Sequence, residues 1–236
     1  MKKHYLLLLG FIAIALYSKA QDKPETVSKK NWLTENVREK FSVLKSDNKT
    51  KEGFYQAFYT GTGAVIARGD YTDDKRTGVW HFYDIRQRLV ETFDYTNSRL
   101  LSEEAIDSYS RQFITYSFDR KLKDSDRITK PLRIGGRCFG YIPYLQLFRL
   151  TRDYNDVDVR LLTAVLELLI SPGGRLADLK VHIIASDNSE RVTTISPDIF
   201  SEEDKQFIPA TVNGEPALSR IFLSCQVTNA GSLDVD

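Results

Sequence analysis

Residues able to do chemistry are few in this chain and scattered. His81 has no second histidine or cysteine at ligand spacing, so it reads as a strand residue with an exposed polar tip and not as a metal ligand. Gly135-Gly136-Arg137 and Gly173-Gly174 are isolated turns without the wider pattern of a nucleotide fingerprint. Glu202, Glu203 and Asp204 directly follow Ser201. That order suits a helix start, with Ser201 as cap and acids in the first turn, better than acid/base work. A nucleophile motif and paired histidines are both missing. These observations predict a protein that is not an enzyme and takes no metal or cofactor. Cys138 and Cys225 are too few for a disulfide framework; one bridge between them and two buried thiols are both compatible with the sequence.

The ends and the charge narrow the class further. Lys2 and Lys3 precede an apolar run from Tyr5 to Tyr17, and Ser18-Lys19-Ala20 puts small residues before Gln21. This is the pattern of a secretory signal peptide over residues 1–20, with an uncleaved membrane anchor as the alternative. Cleavage would remove three lysines and no acid, taking the net charge from +1 to −2. Nucleic acid is therefore an unsupported partner. The expected site is the periplasm or cell envelope.

Residues 21–31 are polar and lysine-rich, a flexible leader by composition. From residue 32 to 118 aromatic residues alternate with charged ones between Gly and Asp/Asn clusters, which predicts consecutive β-hairpins. Gly53-Phe54-Tyr55-Gln56-Ala57-Phe58 recurs as Gly78-Val79-Trp80-His81-Phe82-Tyr83, and Asp70-Tyr71 recurs as Asp94-Tyr95. Repetition at this period means stacked supersecondary units. Gly69-Asp70-Tyr71, Lys75 to Asp84, Leu89 and Phe93 to Leu100 together resemble the MORN-repeat variant of bacterial envelope proteins. Arg86-Gln87-Arg88 and Ser98 depart from it, standing where that family has glycine in the turn. The resemblance implies a surface for protein contacts. Trp80, Tyr55, Phe58, Tyr71 and Tyr83 read first as packing between hairpins and only second as an aromatic ligand patch.

Phe113 to Phe118 reads as one more edge hairpin of that region, and residues 119–137 as a linker ending at Pro131 and Gly135-Gly136. Residues 138–228 follow the order helix, strand, strand, helix, strand, and 229–236 are a tail. The expected fold class is thus α+β: an antiparallel hairpin sheet plus a small α-β-β-α-β domain. Ile142-Pro143, Ile170 to Val181, Phe207-Ile208-Pro209 and Val212 to Ala217 resemble the C-terminal domain of the TonB family. The resemblance implies binding by strand addition to the final strand. That assigns Leu218, Arg220, Phe222, Ser224 and Gln226 to a partner, an envelope protein such as an outer-membrane receptor or transporter, or to a homodimer through the same strand. Seven prolines in all and a leader of some ten residues, spanning at most about 35 Å, make a poor arm for crossing the periplasm. A binding or scaffold role is favoured over a TonB-type energy transducer or a structural repeat protein without a dedicated ligand.

Overall fold

The computed structural model describes residues 23–105, 112–151 and 157–235. The signal-peptide expectation lies outside the described residues. Residues 26–103 fold as a seven-stranded antiparallel meander in chain order. Its strands are β1 (Thr26–Trp32), β2 (Val37–Leu44), β3 (Lys51–Tyr59), β4 (Ala64–Thr72), β5 (Lys75–Tyr83), β6 (Leu89–Asp94) and β7 (Arg99–Glu103). Asp73 and Asp74, both at positive φ (48° and 62°), close the β4–β5 hairpin in two residues, the twist-matched solution for so short a turn. Gln87 and Ser98 adopt positive φ in their turns, at 65° and 50°. Side chains brace these turns. Asp84 Oδ1 accepts the N–H groups of Arg86 and Arg88 at 2.9 Å each, and Asp94 accepts the Asn97 N–H at 3.1 Å.

Alternation along β5 separates its faces. Trp80 and Phe82 are fully buried, whereas Val79 is exposed. Trp80 sits among Tyr55, Tyr71, Phe82, Tyr95 and Phe139, with ring centroids 5.2 to 6.4 Å away. Its Nε1–H donates to the Asp70 carbonyl at 3.1 Å. Gly69 leaves room for the indole, because a β-carbon there would lie closer than 3.0 Å to three of its atoms.

The second half is also β-rich. It contains β8 (Ile114–Phe118), β9 (Ile128–Thr129), β10 (Leu162–Ile170), β11 (Leu176–Ala185), β12 (Glu190–Ile195), β13 (Ala210–Val212), β14 (Glu215–Ala217), β15 (Ser219–Val227) and β16 (Leu233–Asp234). The main sheet runs β12-β11-β10-β15, and β8 and β16 both pair with the far side of β15, one at each end. β14, β13 and β9 form a small third sheet. Among the described residues the helices are only α1 (Gly136–Phe139), α2 (Ile142–Leu145) and two single 3-10 turns.

The α+β expectation is therefore wrong: the molecule is mostly β, and no α-β-β-α-β domain forms. The helix expected at Ser201 is a single turn, closed by Lys205 N–H to the Ser201 carbonyl at 3.1 Å. Phe200 and Phe207 are both buried, and the few residues between them leave room for one turn before the extended Ile208-Pro209. The helix after Pro143 stops at Leu145, since the chain straightens to pair Leu150 N–H with the Gly231 carbonyl at 2.7 Å. A strand absent from the expected order, β12, pairs with β11.

Other expected boundaries also move. The leader carries β1 from Thr26, a polar edge strand whose exposure imitates a disordered composition. The tail carries β16, whose buried Asp234 accepts Thr34 Oγ1–H and Asn36 N–H at 2.7 Å each. Gly135-Gly136, read as a domain boundary, is where the two sheets meet: β-carbons there would strike Gly140 Cα at Gly135 and crowd Val90 and Phe82 at Gly136. Phe139 of α1 stacks on Phe82 at 5.9 Å. Both sheets contribute to one contiguous hydrophobic core.

Candidate functional site

A binding site for an extended segment needs a strand edge with unpaired backbone groups. β15 has none to spare. Its residues 219–225 pair with β10, 219–223 with β8 and 226–227 with β16. The Ser224 N–H is 2.7 Å from the Phe113 carbonyl. Strand addition there, by a partner or by a second copy, would have to displace β8 or β16.

The assigned residues do share the solvent-facing side of β15. Arg220 Nη1 donates to Glu167 at 2.7 Å, and its Nε and Nη2 donate to Asp119 at 3.0 and 2.8 Å. His182 lies between Glu167 and Glu190, at 2.8 and 2.7 Å. Burial alone would raise Glu167, but bonds from His182 and Arg220 hold its carboxyl below the usual range. Phe222 and Ser224 are half-buried and Gln226 is exposed. The Leu218 carbonyl accepts the Asp119 N–H at 3.4 Å. This is a cross-linked outer sheet surface. Cys138 and Cys225 are both buried as thiols; Cys225 Sγ donates to the Leu223 carbonyl at 3.4 Å. His81 is half-buried, with its ring pKa lowered by burial and by Arg68.

Among the described residues an open edge belongs to β8, which the sequence placed in the repeat region and the structure places in the second sheet. Phe113 and Asp119 bond to β15 on either side of the strand. Alternation then turns Thr115 and Ser117 toward β15 and points the N–H and C=O groups of Ile114, Tyr116 and Phe118 away from it. These outward groups face a groove. Glu103, Glu104 and Ala105, at and beyond the end of β7, flank one end, and Ile128 and Lys130 of the β9 segment flank the middle. Arg120 and Leu122 flank the other end.

Beneath the Ile114–Tyr116 half lies a cavity of about 70 Å³, reached between β6, β7 and α1. Glu91 and Glu103 are register partners on β6 and β7, and both line it. Glu91 is 1% exposed. Its two oxygens accept the Gly135 and Gly136 N–H groups at 2.8 and 3.2 Å. Burial nevertheless pushes its carboxyl up to about 7, against the pull of those two amides. Among the described residues it has no ion-pair partner. Glu103 pairs with Lys130. Arg133 is held by the carbonyls of Gly140, Glu203 and Gln206 and by Asp204, at 2.8 to 3.1 Å. Burial pushes up the Tyr116 phenol and the Cys138 thiol, so the latter is a weak nucleophile. The arrangement suits recognition: backbone pairing along the edge, with a buried carboxyl below.

Sequence reasoning missed Glu91, Tyr116 and Lys130. The one available signal was an acid inside the strand-like run Leu89 to Asp94. Compared with protein-family models, curated proteins and solved structures, the chain matches none.

Proposed function

We propose that this is an exported, non-catalytic binding protein of the cell envelope that takes an extended segment of a partner protein by strand addition along β8. The observation that carries the reading is the outward row of backbone groups at Ile114, Tyr116 and Phe118, set in a groove and not paired by any strand among the described residues. Main-chain hydrogen bonds supply affinity in this mode, and alternate side chains supply choice. The basic and apolar N-terminal pattern supports export.

Tyr116→Pro and Tyr116→Ala, with a photo-crosslinking residue at Phe118, test the proposal in envelope preparations. Proline removes one outward donor at an edge position and should leave the fold intact; alanine removes the ring and keeps the donor. An adduct mapping to an extended segment of one partner, lost in Tyr116→Pro and kept in Tyr116→Ala, is the expected result. A folded Tyr116→Pro protein that captures the same segment as well as wild type overturns the reading.

A further inference from the structure

Strand addition along β8, on which this inference rests, dictates where the partner's side chains go. Directly opposed residues on neighbouring strands send their side chains to the same face. Ile114 and Tyr116 share a face and both line the cavity beneath the groove. A partner residue set opposite either one therefore aims its side chain into that cavity.

The cavity's size and chemistry say which side chain fits. Its volume of about 70 Å³ is several times the roughly 10 to 15 Å³ that one water needs on the same measure. Val90, Ile114, Leu132 and Tyr141 supply apolar wall. Most of the charges around it are already engaged: Arg88 answers Asp84, Lys130 answers Glu103 and Arg133 answers Asp204, whereas among the described residues Glu91 accepts only two amide N–H groups and feels Arg133 at a distance. An acidic side chain would meet Glu91 at close range, and an apolar one would leave that carboxyl uncompensated.

We infer that the cavity receives a lysine side chain from the bound strand, its ammonium set against Glu91 and beside Glu103. A four-carbon stem with a compact terminal charge suits a partly apolar passage ending at a buried carboxyl that, among the described residues, lacks an ion-pair partner; the planar fork of arginine asks for more acceptors. The carboxyl of Glu91, pushed up to about 7 by burial, drops when an ammonium arrives, and binding releases a proton. Below that value affinity falls by up to about tenfold per pH unit. The other charged or titratable groups around Glu91 are Tyr83 from β5, Asp84 and Arg88 from the β5–β6 turn, Glu103 at the end of β7 and Glu104 beyond it, Tyr116, Lys130, and Arg133, Arg137, Cys138 and Tyr141 around α1; among the described residues no histidine lines the cavity.

n-Butylammonium is the probe and 1-butanol its uncharged counterpart, applied to the whole protein with the Ile114 methyl resonances as readout. Saturable shifts with butylammonium and none with butanol are expected, with affinity weakening about fivefold from pH 7 to 6 and by at least a similar factor in Glu91→Gln. Should Glu91→Gln fail to fold, the pH series on the unaltered protein decides alone. Equal response to butanol, absence of saturable shifts, or a pH-independent affinity overturns the inference. These failures are separable from failure of the strand reading: adduct loss in Tyr116→Pro without butylammonium binding leaves strand addition standing and removes the lysine.

Discussion

Gly69→Ala should destabilise the protein by about 3 kcal/mol, the upper part of the range for overpacking a core. The added β-carbon would lie closer than 3.0 Å to Cδ2, Cε2 and Nε1 of Trp80, where ordinary contact begins at 3.4 Å. Restoring that contact asks the indole or the strand to move by about 1 Å, enough to lose much of the packing on the far side of the ring. Neither can move freely. The indole is boxed by five aromatic rings and tied to the Asp70 carbonyl at 3.1 Å, and Gly69 is paired with Tyr55 on β3. Gly69 is not at positive φ, so the penalty is steric and belongs to the Trp80 contact. Trp80→Ala alone should cost about 3 to 5 kcal/mol, and the double variant should fall short of the sum by about 2 kcal/mol, because the new methyl enters vacated space. Urea unfolding followed by far-ultraviolet circular dichroism measures all three. A Gly69→Ala cost below about 0.5 kcal/mol, or strict additivity, would refute the packing argument.

Glu91 should make stability pH-dependent. Its folded carboxyl is raised from 4.5 to about 7, so its contribution is fully present below 4.5 and lost as pH rises through 7. A shift of that size is worth about 3 kcal/mol, and the stability difference between wild type and Glu91→Gln should change by about that much from pH 4.5 to 8; a constant difference would contradict it. Arg133→Ala should cost about 3 to 5 kcal/mol in denaturant unfolding, since it strips a donor from three carbonyls and leaves Asp204 without its ion pair; a loss under about 1 kcal/mol would mean water replaces it. Ser224→Pro should abolish cooperative unfolding, because it deletes the 2.7 Å bond to Phe113 in an interior strand; a native-like melt would show that β8 is not docked there.

Local rules explain what could be read in advance. Val79 to Tyr83 alternate because a strand has period two, and the burial of Trp80 and Phe82 follows it. Ser171 to Arg175 closes the β10–β11 hairpin, and Asn213 and Gly214, at φ 57° and 88°, close β13–β14. Failures came where a distant neighbour decides. Phe113 to Phe118 has the composition of the repeats before it, yet its partner is residues 219–223, a pairing that no local pattern announces. Ser201 has the right chemistry for a cap, but Phe200 and Phe207 anchor the segment too closely for a helix. Glu91 is ordinary in its strand and becomes unusual only when Gly135 and Gly136 close over it.

The contrast among the sheet edges shows why, on the proposed strand addition, β8 and not another edge would take a partner. β1 carries Lys29 and Lys30 and β12 carries Glu190 and Arg191, charges that discourage indiscriminate edge pairing. Neither runs beside the groove. β8 lies between the β7 and β9 segments, where Tyr116 and Phe118 are half-buried and Ile128 is exposed to meet an incoming side chain. A bare strand gains little on the outer edges, whereas at β8 it gains backbone bonds and apolar contact together. The groove is also polar end to end, with Glu103 and Glu104 near Ile114 and Arg120 beyond Phe118. An antiparallel partner would bring its C-terminal side to the acidic end, which is also the end that opens into the Glu91 cavity. On the proposed lysine and strand addition, the same carboxylates would select both the basic residue and the direction, so reversing the peptide sequence should lose both the charge match and the cavity contact at once.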